Sequence, residues 1–148
     1  MEELMPHGYT GKILHVNLTL GTVEVEQPPE AFYRQYMGGS LMGLVYILRE
    51  TPPGADALSP ENLLTFMISV TTGAPISGQS RINVNARSPL TGGIGDSQAG
   101  GFFPAELKFA GFDGIVVRGR SQKPVYLAIL HGRVELRDAS HLVGKLTG

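Results

Sequence analysis

The most informative segment of the chain is Ser77-Gly-Gln-Ser-Arg-Ile-Asn-Val-Asn-Ala-Arg-Ser-Pro-Leu-Thr-Gly-Gly-Ile-Gly-Asp-Ser-Gln-Ala-Gly-Gly101. Apolar and polar side chains alternate over residues 82–87, which predicts a half-buried strand. Arg81 and Arg87 bracket that strand. The glycines from Gly92 to Gly101 predict hairpin turns, and glycine beside a strand also permits close approach by a ligand or by another chain segment. The rest of the chain is therefore interpreted around this segment.

The polar residues of this segment also have ordinary structural interpretations. By itself, Arg81 is interpreted as a surface or salt-bridged arginine, and Arg87 as a structural arginine beside the turn that follows it. The pair Asp96-Ser97 has the residue types of a ligand contact, but an Asx or ST turn is the more common use of such a pair. The residues alone assign no catalytic role here.

Composition limits the class of protein. The chain has 148 residues, 42% of them apolar, which suffices for one domain over residues 1–148 with its own core. Twelve basic residues balance thirteen acidic ones, so the charge pattern gives no indication of nucleic acid or anionic membrane as a partner. The chain has no cysteine, which excludes disulfides, thiolate metal ligands and cysteine nucleophiles within it.

Hydrophobicity gives no indication of a membrane protein. The longest apolar run, Leu63 to Val70, is too short to span a bilayer. The first residues lack the basic and apolar regions of a signal peptide. We therefore expect a cytoplasmic protein.

Periodicity and turn residues predict a mostly β chain with short helices. Ser40 is predicted to cap the second helix, which is apolar almost all round and therefore expected to be buried. Gly38 and Gly39 are predicted to end the first helix. The fold class is α+β, mostly β, with antiparallel hairpins. The predicted strands cover residues 11–18, 22–26, 63–70, 82–87, 115–118, 125–130 and 133–137, and the predicted helices cover residues 30–37, 41–50 and 102–110.

No residue constellation in the chain predicts catalysis or metal binding. The histidines lack the paired spacing of metal ligands. Glu106 and Lys108 lie on a short predicted helix and are expected to form a solvated or salt-bridged face. No Ser/His/Asp set or carboxylate pair stands out. The four histidines are His7, His15, His131 and His141.

Several short motifs, taken in order, resemble one family. They are Gly8-Tyr-Thr-Gly-Lys-Ile-Leu, Asp56-Ala-Leu-Ser-Pro-Glu-Asn-Leu-Leu, Ala86-Arg-Ser-Pro-Leu-Thr-Gly-Gly-Ile-Gly-Asp-Ser, Gly100-Gly-Phe-Phe, Glu106-Leu-Lys-Phe-Ala-Gly-Phe-Asp and Val134-Glu-Leu-Arg-Asp-Ala-Ser-His. On these motifs, which cover almost its whole length, the chain resembles the N-terminal domain of the tungsten-dependent aldehyde:ferredoxin oxidoreductases. The resemblance implies two antiparallel-rich β-sheets that form a base for a tungsten bis-pterin cofactor.

The resemblance also assigns cofactor-binding positions. Arg81 matches an arginine that contacts the pterin and lies near the iron–sulfur cluster. Gln98 stands where the family commonly has an asparagine, whose backbone helps hold the magnesium bridging the two pterin phosphates. Gly100 and Gly101 match positions where backbone N–H groups approach those phosphates. A basic residue of the family is missing around Ser40.

The function implied by the resemblance is that of a binding module. The complete enzyme would oxidise an aldehyde to a carboxylic acid at tungsten and pass electrons to ferredoxin. In the family the cluster cysteines and the acid/base residues lie in other domains, so we expect this chain to be inactive alone. No closing strand is predicted before Gly148, so we also expect the chain to lack the domain's last elements. The alternative is a non-catalytic binding or assembly subunit, which pairs with a separate catalytic subunit or with itself as a homo-oligomer.

Overall fold

The computed structural model describes residues 8–130 and 132–146 and contains eight strands and three α-helices within them. His7 and His131, two of the four histidines whose spacing does not suit metal ligands, lie outside the described residues. The elements, in chain order, are β1 (Ile13–Asn17), β2 (Thr22–Glu26), α1 (Glu30–Tyr36), α2 (Gly39–Glu50), β3 (Leu64–Ile68), β4 (Ile82–Arg87), β5 (Ile94–Ala99), α3 (Phe102–Phe109), β6 (Gly114–Arg118), β7 (Val125–Leu130), β8 (Arg133–Asp138) and a 3₁₀ turn (Ser140–Leu142).

The strands form two sheets, as predicted. The larger sheet has six strands in the order β2-β1-β6-β3-β4-β5, and the smaller sheet is the β7–β8 hairpin. All neighbouring strands are antiparallel except β1 and β6, which pair in parallel from Ile13 opposite Gly114 to Asn17 opposite Arg118. This confirms the α+β, mostly β fold class with antiparallel-rich sheets.

Both faces of the six-stranded sheet are covered, which gives the protein two apolar clusters. We call the side covered by α1 and α2 the helical face and the side covered by α3 and the β7–β8 hairpin the hairpin face. Met67 and Val116 pack under α1 and α2, whereas Ile68 and Ile115 pack under α3. Strand β3 lies between β6 and β4, so residues Leu64–Ile68 of the apolar run from Leu63 to Val70 form a central strand, as expected for a run without alternation.

The glycine-rich half of the segment 77–101 contains the predicted turn, which is closed by the bond from Ser88 N–H to the carbonyl of Gly93, but it also contains a strand that was not predicted. Residues Ile94–Ala99 form β5, which pairs with β4 along its whole length. The predicted Asx or ST turn at Asp96 and Ser97 therefore does not form. Strand β5 is an edge strand whose side chains are mostly solvent-exposed, so it needs no apolar alternation.

The start and the burial of α2 also differ from prediction. Gly38, not Ser40, is the N-cap, and its φ of 111° with Ile68 O and Ser69 close by leaves no room for a Cβ. The first helix ends at Tyr36, and the residue after it, Met37, is the C-cap and adopts a left-handed φ of 58°. Leu48 of α2 is 72% exposed, so this helix is buried on one side only.

A buried ion pair fixes α3 to the start of the chain. The Asp113 carboxylate is 3.0 Å from Lys108 Nζ and accepts backbone N–H groups from Thr10 and Gly11. Lys108 Nζ also donates to the carbonyl of Gly8. Every partner of the buried carboxylate is a donor, so its charge is compensated. The salt-bridged interpretation of Lys108 is confirmed.

A second polar network lies on the helical face beneath the C-terminal half of α2. Arg118 Nη2 is 2.6 Å from His15 Nδ1, and His15 Nε2 is 2.6 Å from a Glu26 oxygen. The same Glu26 oxygen accepts the hydroxyl of Tyr46 at 2.7 Å, and Arg118 also pairs with Glu50. This network connects β1, β2, β6 and α2.

Candidate functional site

A cavity of about 420 Å³ lies at the open end of the β4–β5 hairpin. One wall is the loop that connects β3 to β4, and the other is the beginning of α3. Three of the four residues predicted as cofactor contacts line this cavity, which brings together positions that are twenty residues apart in sequence. The lining residues are Gly73, Ala74, Ile76, Gly78, Gln79, Ser80, Arg81, Gly100, Gly101 and Ala105.

Arg81 supplies the positive charge of this cavity. Its backbone is fixed, because its carbonyl accepts the hydroxyl of Thr72 and its N–H donates to the carbonyl of Gln79. The residue is exposed, and no carboxylate in the described part of the chain lies within 4.0 Å of its guanidinium. A guanidinium presents several N–H donors in a planar fork that suits phosphate oxygens. The arrangement is therefore suited to an anion.

Gly100 and Gly101 both line the cavity, but they differ in backbone conformation and in their surroundings. Gly101 has a φ of 98° and is the N-cap of α3, a conformation that side-chain-bearing residues rarely adopt. Gly100 lies beside the carbonyl of Ser80, and a Cβ there would make only an ordinary contact at 3.4 Å. No side chain caps α3, and Pro104 has no N–H, so the N–H groups of Phe102 and Phe103 are left for another acceptor. Helix N-termini attract anions for this reason.

Gln98 is not part of the cavity wall. It lies on β5 opposite Asn83, one alternation step from Gly100 and on the helical face. The residue is exposed and does not line the cavity, whose wall begins two residues later, at Gly100. Thus the structure brings together Arg81, Gly100 and Gly101 and places Gln98 beside them.

Three further polar residues on the helical face were not predicted as site residues. The Ser40 hydroxyl is 2.7 Å from Asp96 Oδ2 and accepts the side-chain N–H of Asn83 at 2.6 Å. Asn83 also donates to Asp96 Oδ1 at 3.3 Å. The Ser40 hydrogen bond, supported by the amides of Asn83 and Asn85, holds the pKa of the Asp96 carboxyl below its ordinary value. The pairing of β5 with β4, which sets Asp96 opposite Asn85, places Asp96 on this face, and the local sequence carries no signal for it.

The remaining predicted residues have structural positions. Arg87 donates to the carbonyls of Ala55 and Gly92, which confirms its interpretation as a structural arginine. Glu106 is exposed on α3, outside the cavity near Arg81. Within residues 8–130 and 132–146, no group of three or more His, Asp or Glu side chains is arranged to hold a metal ion. No helix in that same part of the chain is long and apolar enough to cross a membrane.

Comparison with known proteins identifies the fold. The family model described as "Aldehyde ferredoxin oxidoreductase, N-terminal domain" matches residues 13–148. The chain belongs to this family. The family resemblance expected from the motifs is confirmed.

Several relatives of the aldehyde ferredoxin oxidoreductase family are similar over almost the whole chain. The "Tungsten-containing aldehyde ferredoxin oxidoreductase" of Pyrococcus abyssi is 46% identical over 139 residues, which are 94% of this chain and 23% of that protein. The "Aliphatic sulfonate oxidoreductase, WOR-like subunit" of Pyrococcus furiosus is 33% identical over 141 residues, 93% of this chain and 22% of that protein. This chain therefore spans less than a quarter of their length.

A solved structure has the same fold. It is described as "Active site complex BamBC of Benzoyl Coenzyme A reductase in complex with 1,5 Dienoyl-CoA". The TM-score is 0.90 at 40% sequence identity, and the match covers 93% of this chain and 21% of the solved one. The fold is thus shared by relatives whose descriptions name different substrates.

Proposed function

We propose that the chain is the cofactor-binding module of a tungsten-dependent oxidoreductase of the aldehyde ferredoxin oxidoreductase family. In this proposal it holds a tungsten bis-pterin whose phosphates are bridged by magnesium. The complete enzyme converts an aldehyde to a carboxylic acid and passes electrons to ferredoxin through an iron–sulfur cluster that other domains hold. The relatives named as tungsten enzymes are 42 to 46% identical to this chain, which supports tungsten as the metal.

The observation that carries the proposal is the cavity at the end of the β4–β5 hairpin. Its charge comes from Arg81, and its backbone donors come from the uncapped first turn of α3 behind Gly101. A phosphate monoester needs such donors and one or two positive charges, whereas the cavity offers no carboxylate that would repel it. The donor set therefore fits the phosphate end of a pterin cofactor.

The residues of this chain bind and orient the cofactor rather than react. Arg81 would hold a phosphate or the pterin edge with its fork of N–H groups. Gly100 and Gly101 would let the backbone come close, since no Cβ stands between the chain and the ligand. The carbonyl of Gln98 would contribute an oxygen toward magnesium, a use that any side chain permits. Bound tungsten supplies the two-electron chemistry; the protein supplies position and electrostatics.

The proposal includes a protein partner for the opposite side of the cofactor. Phe102 is 88% exposed and Phe109 68% exposed, although both lie on the helix whose first turn forms the cavity wall. Beside them, an open groove of about 620 Å³ runs between α3 and β7. Apolar surface of this kind marks contact with more protein. We expect that protein to be the rest of the enzyme, in the same chain or in a separate subunit.

Cofactor content after substitution of Arg81 tests the proposal. We expect Arg81→Ala, made in the full-length protein from a tungstopterin-producing host, to retain about tenfold less pterin and tungsten, since a hydrogen bond to a charged group is worth about 1.5 to 3 kcal/mol. Pterin is measured by fluorescence after oxidative extraction, and tungsten by mass spectrometry. Arg120→Ala, at an exposed site away from the cavity, is the matched control.

Two results would contradict the proposal. One is wild-type pterin content in Arg81→Ala. The other is the absence of both pterin and tungsten from a correctly folded wild-type protein, which would favour the alternative of an assembly subunit. Residues 1–148 alone are expected to show no aldehyde-dependent dye reduction. Turnover by them would contradict the proposal that the chain is a binding module without activity of its own.

A further inference from the structure

A hydroxyl group joins the two walls of the cavity near Arg81. Ser80 Oγ donates a hydrogen bond to the carbonyl of Gly101, with 2.5 Å between the two oxygens. Ser80 belongs to the loop wall and immediately precedes Arg81, whereas Gly101 is the N-cap of α3. The proposed function gives this hydroxyl no role, although Ser80 and Gly101 both line the cavity.

The bond lies where the β4–β5 ladder stops. The last paired residues are Ile82 and Ala99, and Ser80 and Gly101 each lie two positions beyond them. At Gly101 a φ of 98° turns the chain from the strand direction into α3. The hydroxyl therefore connects the two chain segments at the point where backbone pairing has ended and the helix begins.

The loop side of this bond is anchored to the sheet. The side chain of Thr72 is buried, and its hydroxyl accepts the N–H of Ser69 at 3.1 Å and donates to the carbonyl of Arg81 at 3.2 Å. Ser69 directly follows β3, and Arg81 directly precedes β4. Ser80 therefore projects from a backbone whose position two neighbouring strands fix, and its hydroxyl transmits that position to Gly101.

Packing alone holds the helix side of the bond loosely. Phe102 is 88% exposed and Phe103 54% exposed, so neighbouring side chains constrain this part of the first turn weakly. Pro104 is buried but has no N–H, which leaves Phe102 and Phe103 as the donors of the first turn. A hydrogen bond weakens steeply when donor and acceptor are misaligned. The direction in which the first turn leaves Gly101 therefore decides whether these two donors reach an anion in the cavity.

We propose that Ser80 is a positioning residue for the anion site: its hydroxyl holds the Gly101 carbonyl and thereby aims the N–H groups of Phe102 and Phe103 at a phosphate in the cavity. The inference rests on the proposed function, because it needs the phosphate end of the cofactor beside Arg81. Arg81 supplies the positive charge of this contact, and Ser80 fixes the direction of its backbone donors. Ser80 acts through the backbone of α3 and not by touching the ligand.

Pterin retained by variants of Ser80 tests the proposal in the full-length protein purified from a tungstopterin-producing host. Ser80→Ala removes the hydroxyl, and we expect about a fivefold fall in pterin per protein, the effect of losing one hydrogen bond. Ser80→Thr keeps a hydroxyl at the same position and should retain pterin within about twofold of wild type. Ser77→Ala, at an exposed serine of the same loop that does not line the cavity, is the control and should keep the wild-type content.

Amide hydrogen exchange of the cofactor-free protein separates positioning from direct contact with the ligand. If Ser80 holds α3 in place, exchange over residues 102–106 should be about fivefold faster in Ser80→Ala and unchanged in Ser80→Thr and Ser77→Ala. The melting temperature of cofactor-free Ser80→Ala should stay close to that of wild type, because the bond lies at the surface.

The outcomes distinguish this inference from the proposed function. If Arg81→Ala loses the pterin and Ser80→Ala keeps it, only the inference fails. A loss of pterin in Ser80→Ala without faster exchange also overturns the inference, since the hydroxyl would then contact the ligand directly. An equal loss in Ser80→Ala and Ser77→Ala overturns it too, because the effect would then belong to the whole loop. If Arg81→Ala keeps the pterin, the proposed function fails as well.

Discussion

The guanidinium of Arg118 donates a hydrogen bond to Nδ1 of His15, with 2.6 Å between Nη2 and Nδ1. Arginine has no acceptor and stays protonated, so it must be the donor of this bond. The single ring proton of His15 is thereby assigned to Nε2, from which it reaches Glu26 at 2.6 Å. The imidazole thus acts as a neutral bridge between a cation and an anion.

Removal of this bridge should destabilise the fold. In His15→Ala, Arg118 and Glu26 each lose a partner in a partly buried position, which costs about 1 to 3 kcal/mol in the free energy of unfolding. Urea titration followed by circular dichroism measures it. His141→Ala, at an exposed histidine of the 3₁₀ turn, is the control and should stay within about 0.5 kcal/mol of wild type. An equal loss in both variants would contradict the role of the bridge.

The ion pair between Lys108 and Asp113 should contribute more to the free energy of unfolding than the His15 bridge does. Asp113→Ala leaves the ammonium of Lys108 buried with no counter-charge and leaves the N–H groups of Thr10 and Gly11 without an acceptor. The expected loss is about 3 to 5 kcal/mol in the free energy of unfolding. A double-mutant cycle with Lys108→Met measures the coupling between the two charges. Additive effects of the two substitutions would show that the pair is not coupled.

Two buried phenols should make the protein sensitive to alkali. Burial raises the pKa of Tyr33 and of Tyr46 far above the ordinary value of 10.0, aided by Asp113 beside Tyr33 and by Glu26 beside Tyr46. The folded protein keeps these protons at a pH where the unfolded chain has lost them. Stability is therefore full below pH 10 and falls as pH rises above about 10, by about 1.4 kcal/mol per pH unit for each phenol.

Absorbance at the phenolate band checks this prediction. At most three of the five tyrosines should ionise before the native protein unfolds, and all five should ionise together in concentrated urea. Tyr46→Phe should reduce the loss of stability per pH unit by about half. If all five phenols ionise together in the native protein, the buried state of these side chains is refuted.

The two adjacent glycines of the cavity wall should respond differently to alanine. Gly101→Ala forces a side chain into a φ of 98°, which costs about 1 to 3 kcal/mol in unfolding free energy. Gly100→Ala meets only an ordinary contact with Ser80, so stability should change little while cofactor content falls. Thermal unfolding and pterin fluorescence separate the two effects. Equal destabilisation by both substitutions would contradict the assigned conformations.

Local patterns in the sequence were sufficient to predict most elements of the fold. Alternation predicted β4 and the β1–β2 and β7–β8 hairpins. A nearly continuous apolar run predicted the central strand β3. The motifs of the family predicted three cavity residues that the structure brings together. Those predictions depend on local sequence patterns or on the family resemblance, so they require no knowledge of how distant segments pack.

The features that were missed depend on contacts between distant segments. Strand β5 has few buried side chains because it is an edge strand, so its pattern did not differ from that of a turn. Ser40 has the residue type of a helix cap, but α2 begins earlier, where Gly38 passes close to Ser69. The partners of His15 and Asp96 lie in other elements, and nothing in the local sequence points to them.

The parallel pairing of β1 with β6 also determines the order in which a growing chain can fold. His15 and Arg118 are separated by 103 positions, so the first hairpin leaves the ribosome well before its partner strand is made. At roughly 5 to 20 residues per second, that hairpin waits about 5 to 20 s with its apolar side unpaired. An isolated two-stranded hairpin is only marginally stable in water. The apolar residues of the β1–β2 hairpin are thus exposed on the nascent chain until β6 has been synthesised.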